Sequence, residues 1–417
     1  MTRHFWVLIH RYSGLYMAFF LTVAGLTGTV LAFYHELDSW LNPETHQVAL
    51  QDSPMLDGFR LREIAQTLEP HAQINVVELN LKPGQVFETF LSPAIDPATS
   101  KPYELAYQSI RLNPYTGELI GFSKDEGYWP LTRRNILSFI YALHYSLALG
   151  EIGTWFFGIA ALIWTIDCFV SVYLTFPLSA RRQQQDKVTL NKSWWSRWQP
   201  SWLIKWRGSA FRINFDLHRA GGLWTWAMLF VFAWSSVCLN LRQQVYFPVM
   251  QQLFEMSDFK AFPVADLPQP RPEPAIDFRT AYQLTRQLMA EQAHQKGFRV
   301  QEEIAISYDP AKGLYSYQVK SDYDIMDGVG VTLVWIDGNS GAFVNHFLPT
   351  GQKAGDTITV WLQTLHMAKI WGLPYKIFVC LMGLIVAMLS VTGVYIWLKK
   401  RKARLMSFER RLTVGNN

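Results

Sequence analysis

The sequence predicts an α-helical integral membrane protein, in which a four-span bundle built from two tandem repeats carries two α+β modules outside the membrane. Three observations support this fold class. Half of the 417 residues are hydrophobic and 15% are aromatic, a composition that suits a membrane protein with sizeable water-exposed parts. Four apolar segments reach about the 20 residues that a bilayer core requires. Motifs that contain histidine recur in both halves of the chain.

The four predicted spans cover residues 12–34, 154–176, 221–241 and 374–398. Lysine and arginine are concentrated in the loop between the second and third spans and in the tail, so the positive-inside rule makes both termini and this loop cytoplasmic. These residues are Arg181, Arg182, Lys187, Lys192, Arg197, Lys205, Arg207 and Arg212 in the loop, and Lys399, Lys400, Arg401, Lys402, Arg404, Arg410 and Arg411 in the tail. The net charge of +5 therefore reflects topology, and no nucleic-acid partner is expected.

The first repeated motif places one histidine at the start of the first span and one at the start of the third. Its pattern is aliphatic, His, Arg, two variable residues, Gly, Leu and an aromatic residue, at 9–16 and 217–224. His10 and His218 occupy the histidine position, and Arg11 and Arg219 follow them directly. The topology puts both histidines near the cytoplasmic surface.

The second repeated motif is a Leu-His pair in a short apolar segment just before the second and fourth spans. His144 and His366 are each followed after six residues by a glycine, and after 28 residues by a Val-Tyr-aliphatic triplet. The segments 135–149 and 359–371 are too short to span a bilayer, so they are expected to be helices at the outer interface.

The segments outside the membrane each predict a helix laid on an antiparallel sheet. Residues 61–68 and 278–293 have helical apolar spacing. The predicted strands are 73–81, 86–91, 105–112, 300–308, 314–319 and 330–336. Matched turns follow at 113–117 and 337–341, which are rich in residues that tolerate positive φ.

Four imidazoles held in a bilayer by a repeated architecture indicate metal chemistry and favour haem. Neutral imidazole is an axial ligand of haem iron, and two of them give a six-coordinate centre suited to electron transfer. By depth, His10 pairs with His218 and His144 pairs with His366, which predicts two haems across the bilayer. Arg11 and Arg219 are candidate propionate partners, with Arg133 or Arg134 as a weaker candidate outside. No Cys-x-x-Cys-His sequence is present, which excludes the attachment of a c-type haem.

Three alternatives remain open at this stage. His35 lies at the outer end of the first span and could replace one outer ligand, although Asn240 stands in the comparable region of the second half. Each histidine taken alone could be an interfacial anchor. Asp167, which matches Leu389 in the second half, could relay a proton or tune a haem, or could bond only to a neighbouring hydroxyl such as Thr165 or Ser171.

The chain resembles the PepSY-associated transmembrane proteins over essentially its whole length. The resemblance rests on the His-Arg-x-x-Gly-Leu motif, Tyr34-His35-Glu36-Leu37-Asp38, Trp40-Leu41-Asn42-Pro43, the Leu-His segments and the Asn-Pro-Tyr-Thr-Gly turn. Members include bacterial inner-membrane ferric-siderophore reductases with two PepSY-type periplasmic modules and b-type haem held by histidines of the bundle. The long, tryptophan-rich loop at 181–215 departs from what the family explains.

The resemblance and the topology together give a domain plan for the chain. The segments are a cytoplasmic start with the first span (1–35), periplasmic PepSY-like module 1 (36–134), an interfacial helix with the second span (135–178), the basic cytoplasmic loop (179–216), the third span (217–241), PepSY-like module 2 (242–358), an interfacial helix with the fourth span (359–398) and the basic tail (399–417).

The function implied by the resemblance is electron transfer across the inner membrane to a periplasmic ferric-siderophore, which releases Fe(II) for uptake. The chain has neither a Walker sequence nor a Gly-x-Gly-x-x-Gly after a strand, so a cytoplasmic reductase or membrane quinol must supply the electrons. One rival function is a haem-free scaffold or regulator whose modules bind a periplasmic partner. Another is a transporter of the siderophore or of iron, suggested by the duplicated halves.

Overall fold

The computed structural model describes residues 2–124, 127–177, 193–257 and 264–415, with side chains up to residue 407. Arg181, Arg182, Lys187 and Lys192, four of the residues on which the predicted orientation rests, lie outside the described residues. The chain forms two compact units. The first contains residues 1–34, 137–249 and 362–417, and the second contains residues 35–136 and 250–361.

The first unit is helical. Its main helices are α1 (Arg3–Leu31), α5 (Ile136–Ser146), α6 (Gly150–Thr175), α7 (Trp194–Trp198), α8 (Ala210–Asn240), α9 (Phe247–Leu253), α11 (Ala354–His366) and α12 (Gly372–Gly415), of which α5, α9 and α11 extend to or across the boundary between the units. A 3-10 turn, Gln199–Trp202, follows α7, and a π-helical turn, Arg242–Tyr246, follows α8.

Among the described residues, four helices are long and apolar enough to cross a membrane: α1, α6, α8 and α12. Each covers most or all of one predicted span, and each begins before it. Hydroxyl caps set two of these starts, since Thr2 accepts a hydrogen bond from the Phe5 N–H and Ser209 accepts one from the Arg212 N–H. Because of these earlier starts, His10 and His218 lie inside helices rather than ahead of them.

Helices α1 and α12 approach each other closely at Gly25 and Gly383. A Cβ atom at Gly25 would lie 2.5 Å from the Gly383 carbonyl oxygen, and one at Gly383 would lie 2.6 Å from the Gly25 carbonyl oxygen. Thr29 also donates a hydrogen bond to the Cys380 carbonyl across this contact, at 3.3 Å. Small residues with an interhelical hydroxyl bond are the usual means of packing helices in lipid.

The short helices α5 and α11 are joined to the spans that follow them by similar turns. Gly150 and Gly372, the glycines six residues after His144 and His366, have φ values of +59° and +60°. Only glycine adopts this left-handed conformation without a steric penalty. The repeated glycine in the sequence therefore has a backbone role at both turns.

The second unit combines helices with three antiparallel sheets. Its helices are α2 (Tyr34–Leu41), α3 (Pro43–His46), α4 (Gly58–Leu68) and α10 (Phe278–Lys296). Its strands are β1 (Ala72–Gln73), β2 (Val76–Glu78), β3 (Phe87–Phe90), β4 (Ser92–Pro93), β5 (Ser109–Leu112), β6 (Leu119–Ser123), β7 (Val300–Asp309), β8 (Leu314–Ser321), β9 (Thr332–Asp337) and β10 (Phe343–Phe347). The two predicted helices and the six predicted strand regions each overlap an observed element.

The sheets join the two chain segments of the second unit, residues 35–136 and 250–361. The largest has the strand order β10-β9-β8-β7-β2, so β2 of the first segment extends the sheet of the second. The registers Val76 to Ser307 and Glu78 to Ala305 fix this pairing. The other sheets are β3-β5-β6 and β1-β4. The sequence predicted one helix and one sheet per segment, and it did not predict this exchange of a strand.

Two apolar cores stabilise the second unit. One lies beneath α10 and includes Ala281, Met289, Ile306, Tyr317 and Val334, all almost fully buried. The other lies beneath α4 and is formed by Leu61, Ala65, Ala72, Ile74, Phe87, Leu91, Ile110 and Leu112. Burial of this apolar surface is the main term that favours folding of the unit.

Replacing Gly25 by alanine should destabilise the protein, because the added Cβ meets a backbone oxygen that cannot rotate away. The expected loss is about 1–3 kcal/mol, measured as a lower thermal unfolding midpoint in detergent. Gly222→Ala is the matched control, since a Cβ at Gly222 has no neighbour within 4 Å. Equal midpoints for the two variants would contradict the close α1–α12 contact.

Candidate functional site

Four histidines of the first unit come together as two pairs. The ring centres of His10 and His218 are 6.1 Å apart, with an angle of 59° between the ring planes. The ring centres of His144 and His366 are also 6.1 Å apart, with an angle of 73°. These are the pairs expected from the predicted depths of the four residues.

The two pairs lie near opposite ends of the bundle. His10 and Thr27 are both on α1, and Thr27 contacts the His144 ring. His218 and Ser235 are both on α8, and Ser235 contacts the His366 ring. Each interval is 17 residues, or about 25 Å along a helix. This separation approaches the roughly 30 Å thickness of a bilayer core.

The His10 ring is held by a carboxylate. Its Nδ1 atom lies 2.9 Å and 3.0 Å from the two oxygens of Asp167 on α6. Ser13, one turn along α1, donates its hydroxyl to the same carboxylate at 3.1 Å. Thr165 and Ser171, the alternative hydroxyl partners, donate instead to the carbonyls of Ala161 and Cys168 in their own helix. Serine and threonine hydroxyls within a helix commonly donate to a backbone carbonyl of the preceding turn.

The His218 ring is held by neutral acceptors of α12. Its Nδ1 atom lies 3.0 Å from the Leu389 carbonyl oxygen and 3.2 Å from the Thr392 hydroxyl. Thr392 donates its own proton to the Met388 carbonyl at 2.7 Å. The Thr392 oxygen and the Leu389 carbonyl oxygen therefore both accept a hydrogen bond from the Nδ1–H group.

Hydroxyl groups hold the rings of the second pair. Nδ1 of His144 lies 3.0 Å from the Thr27 hydroxyl, and Nδ1 of His366 lies 2.7 Å from the Ser235 hydroxyl. Thr27 donates its proton to the Val23 carbonyl at 2.6 Å, and Ser235 donates to the Phe232 carbonyl at 3.1 Å. Both hydroxyl oxygens therefore accept from an Nδ1–H group.

The hydrogen bonds assign one tautomer to all four rings. In the part of the chain that the structure describes, each ring hydrogen-bonds through Nδ1, and each partner is an acceptor. The proton of a neutral imidazole then resides on Nδ1, and the lone pair resides on Nε2. Metal-binding histidines have this arrangement, in which the second nitrogen is fixed by a carboxylate, carbonyl or hydroxyl.

The spacing of the rings fits a bis-imidazole haem. An iron with a nitrogen about 2 Å away on each side places the two imidazole centres about 6 Å apart, which agrees with the 6.1 Å in both pairs. A haem needs only two protein ligands, because the porphyrin supplies the others.

Small or apolar residues lie beside three of the rings. A Cβ atom at Gly28 would lie 3.0 Å from Cε1 of His144, and one at Gly393 would lie 3.2 Å from Cε1 of His218. Phe232 packs edge-on against His366, with ring centres 5.6 Å apart. The glycines thus leave space for two of the rings.

The two predicted propionate partners differ in their surroundings. Arg219 binds the fully buried Asp216 at 2.8 Å and donates to the Pro200 carbonyl at 2.8 Å. Arg11 forms no ion pair among the described residues, and it lies close enough to Lys400 for the two cations to repel each other. Arg11 is therefore the more available of the two for an anion. The propionate role of both residues stays a prediction.

The remaining candidates lie in the second unit. His35 is in α2, and Arg133 forms an ion pair with Glu44 at 2.6 Å. His71 stacks on Tyr103, with ring centres 4.3 Å apart. His346 stacks on Phe343, and burial lowers the pKa of its imidazole. The ligand role of His35 and the propionate role of Arg133 or Arg134 stay predictions.

The described part of the tryptophan-rich loop packs as an aromatic cluster. Trp198 contacts Phe176 and Trp202, with ring centres 5.3 Å and 5.2 Å away. Its indole N–H donates to Thr175 at the end of α6, and the Trp224 indole donates to the Trp202 carbonyl. This cluster attaches the loop to the end of α6 and to the middle of α8.

Sequence reasoning missed most of the residues that orient the histidines. Thr27 and Ser235 carried a usable signal, because each follows the histidine of the first motif by 17 residues and each has a hydroxyl. The Leu389 carbonyl carried none, since every residue has such a group. Asp167 was identified as a candidate, but its partner on another helix was not.

The comparisons with known proteins agree with this architecture. No curated protein matches the chain significantly. The family model described as the PepSY-associated TM region matches residues 7–400. The matched region contains all four paired histidines and both chain segments of the second unit. The chain therefore belongs to the PepSY-associated transmembrane family.

Proposed function

We propose that this protein is a di-haem b reductase of the bacterial inner membrane, which transfers electrons to a periplasmic ferric-siderophore and releases Fe(II) for uptake. The observation that carries the proposal is the pair of bis-imidazole sites. In both, the ring centres are 6.1 Å apart and the Nδ1 atoms are held by acceptors. The family supplies the context, and the substrate class follows from the resemblance.

Haem iron held by two imidazoles supplies one-electron redox chemistry without an open coordination site. The residues of the chain orient the ligands. Asp167, Leu389, Thr27 and Ser235 hold the Nδ1–H groups, which leaves the lone pair of each neutral ring on Nε2, the nitrogen that would bind iron. Preorganised ligands reduce the reorganisation that accompanies a change in charge.

The proposed direction follows from the charges at one end of the bundle. Lys400 lies over the Phe215 ring, 5.3 Å from its centre, and Phe215 is three residues from His218. Lys399 and Arg401 lie over Tyr395 and Trp397 of the same helix end. The positive-inside rule assigns such an end to the cytoplasm. Electrons from a cytoplasmic reductase or quinol would then enter at His10–His218 and leave at His144–His366.

The proposal includes a duplicated architecture. The equal interval of 17 residues from His10 to Thr27 and from His218 to Ser235 supports it. So do the left-handed glycines after His144 and His366. The PepSY-like second unit would then be periplasmic and would form the docking surface for the ferric substrate.

The purified protein should contain two b-type haems per chain, seen in the reduced-minus-oxidised absorption spectrum and counted by pyridine haemochrome. His10→Ala and His366→Ala should each remove about one haem, because each breaks one pair of ligands. His294→Ala is the matched control, since this exposed histidine of α10 belongs to neither pair. Protein expressed with adequate haem but without b-type bands would overturn the proposal and favour the haem-free scaffold.

Removing a single hydroxyl should weaken haem retention at the His144–His366 pair. Thr27→Val and Ser235→Ala each leave an Nδ1–H group without its acceptor, and loss of such a partner costs about 10-fold to 100-fold in affinity. The readout is the rate of haem transfer to apomyoglobin. Thr22→Val and Ser236→Ala are the controls, because both hydroxyls bond only within their own helices. Equal rates in all four variants would show that these bonds do not orient the ligands.

Electron transfer through the membrane should require both pairs. Vesicles that contain the protein, with dithionite inside and a ferric hydroxamate siderophore outside, should produce Fe(II) outside, detected with ferrozine. His10→Ala or His366→Ala should lower the rate at least tenfold, because each removes one of two sites in series. Siderophore that enters the vesicles without reduction would favour the transporter.

A further inference from the structure

The two histidines of the first pair are held by matched positions of different chemistry. Asp167 follows His144 by 23 residues, and Leu389 follows His366 by the same interval. Asp167 accepts the His10 Nδ1–H with its side-chain carboxylate, whereas Leu389 accepts the His218 Nδ1–H with its backbone carbonyl. One ligand of this pair therefore bonds to an anion and the other bonds to neutral groups.

The Asp167 carboxylate has few other partners. The residue is 7% exposed and lies within α6, one of the helices long and apolar enough to cross a membrane. Among the described residues its hydrogen bonds come from His10 and Ser13, and no lysine or arginine pairs with it. A carboxylate at such a position is energetically costly. Its charge therefore acts mainly on the His10 ring.

Among the described residues, no carboxylate bonds to the rings of the other pair. His144 and His366 bond to the hydroxyls of Thr27 and Ser235, which are neutral acceptors. The carboxylate is consequently what distinguishes the two sites, whose ring separations are the same.

We propose that Asp167 is a positioning residue that lowers the reduction potential of the haem at His10–His218 below that of the haem at His144–His366. This inference rests on the proposed function. An anionic acceptor draws the proton of Nδ1–H towards itself, which raises the basicity of Nε2. A more basic ligand and a nearby negative charge both favour ferric over ferrous iron. The reduction potential of that site therefore falls.

The difference in potential gives the electron a direction. With the His10–His218 end in the cytoplasm, the site of lower potential is where electrons enter, and the site of higher potential is next to the ferric substrate. Transfer between the two sites is then downhill. One charged residue in one repeat is sufficient to make two otherwise similar sites unequal.

A merely structural role for Asp167 predicts a different result. The carboxylate also links α1 to α6, and that link needs only a hydrogen-bond acceptor. Asp167→Asn keeps the acceptor oxygen and the size of the side chain but removes the charge. This variant therefore separates the effect of the charge from the effect of the link between helices.

The test is a spectroelectrochemical titration of the full-length haem-loaded protein. Wild type should titrate as two one-electron steps. Asp167→Asn should raise the reduction potential of the lower step by at least about 59 mV, which for one electron is a tenfold change in the ratio of reduced to oxidised haem. The upper step should stay in place. In a His366→Ala background, where only the His10–His218 haem remains, the same shift should appear in the single step.

The controls separate this inference from the function on which it rests. Thr392→Val removes a neutral acceptor from His218 and should shift the lower step much less than Asp167→Asn. Two haems at normal content with unchanged potentials in Asp167→Asn would overturn the tuning role and leave the proposed reductase intact. A shift of the upper step alone would equally overturn it. The absence of haem bands from the wild-type protein would instead overturn the proposed function.

Discussion

The Nδ1–H hydrogen bonds of four histidines are the constraint on which the site depends. An imidazole free to rotate presents either nitrogen, and it presents neither in a fixed direction. Here the Asp167 carboxylate, the Leu389 carbonyl and the hydroxyls of Thr27 and Ser235 fix the tautomer and limit the rotation of each ring. The fold must therefore bring four acceptors to four rings, and each acceptor comes from a different helix than its ring.

Helix packing in the first unit makes these contacts possible. The close approach of α1 and α12 at Gly25 and Gly383 sets how the helices with His10 and Leu389 lie relative to each other. Glycine recurs beside the rings themselves, at Gly28 and Gly393, where a larger residue would displace His144 and His218. Small residues thus serve two purposes in this bundle: they allow helices to approach, and they leave space for imidazole.

Much of the fold could be predicted from local sequence, because hydropathy and alternation are local properties. The four apolar segments and the six strand regions overlap observed elements for this reason. The helix starts at Arg3 and Ala210 were missed, since polar residues continue these helices beyond their apolar parts. The pairing of β2 with β7 was also missed. It joins residues more than 200 positions apart, and nothing in Val76–Glu78 specifies that partner.

The grouping of the four histidines into two pairs could be predicted, because the repeated motifs and the charge topology carry that information. The partners of the rings depend on how helices face each other, which a single sequence does not encode. The most direct test of the central claim is a cryo-electron microscopy map of the haem-loaded protein at a resolution that shows porphyrin rings. The account predicts planar density between His10 and His218 and between His144 and His366, with Nε2 of each histidine on the iron. Haem density ligated by His35, or well-resolved imidazole pairs with no porphyrin between them, would contradict it.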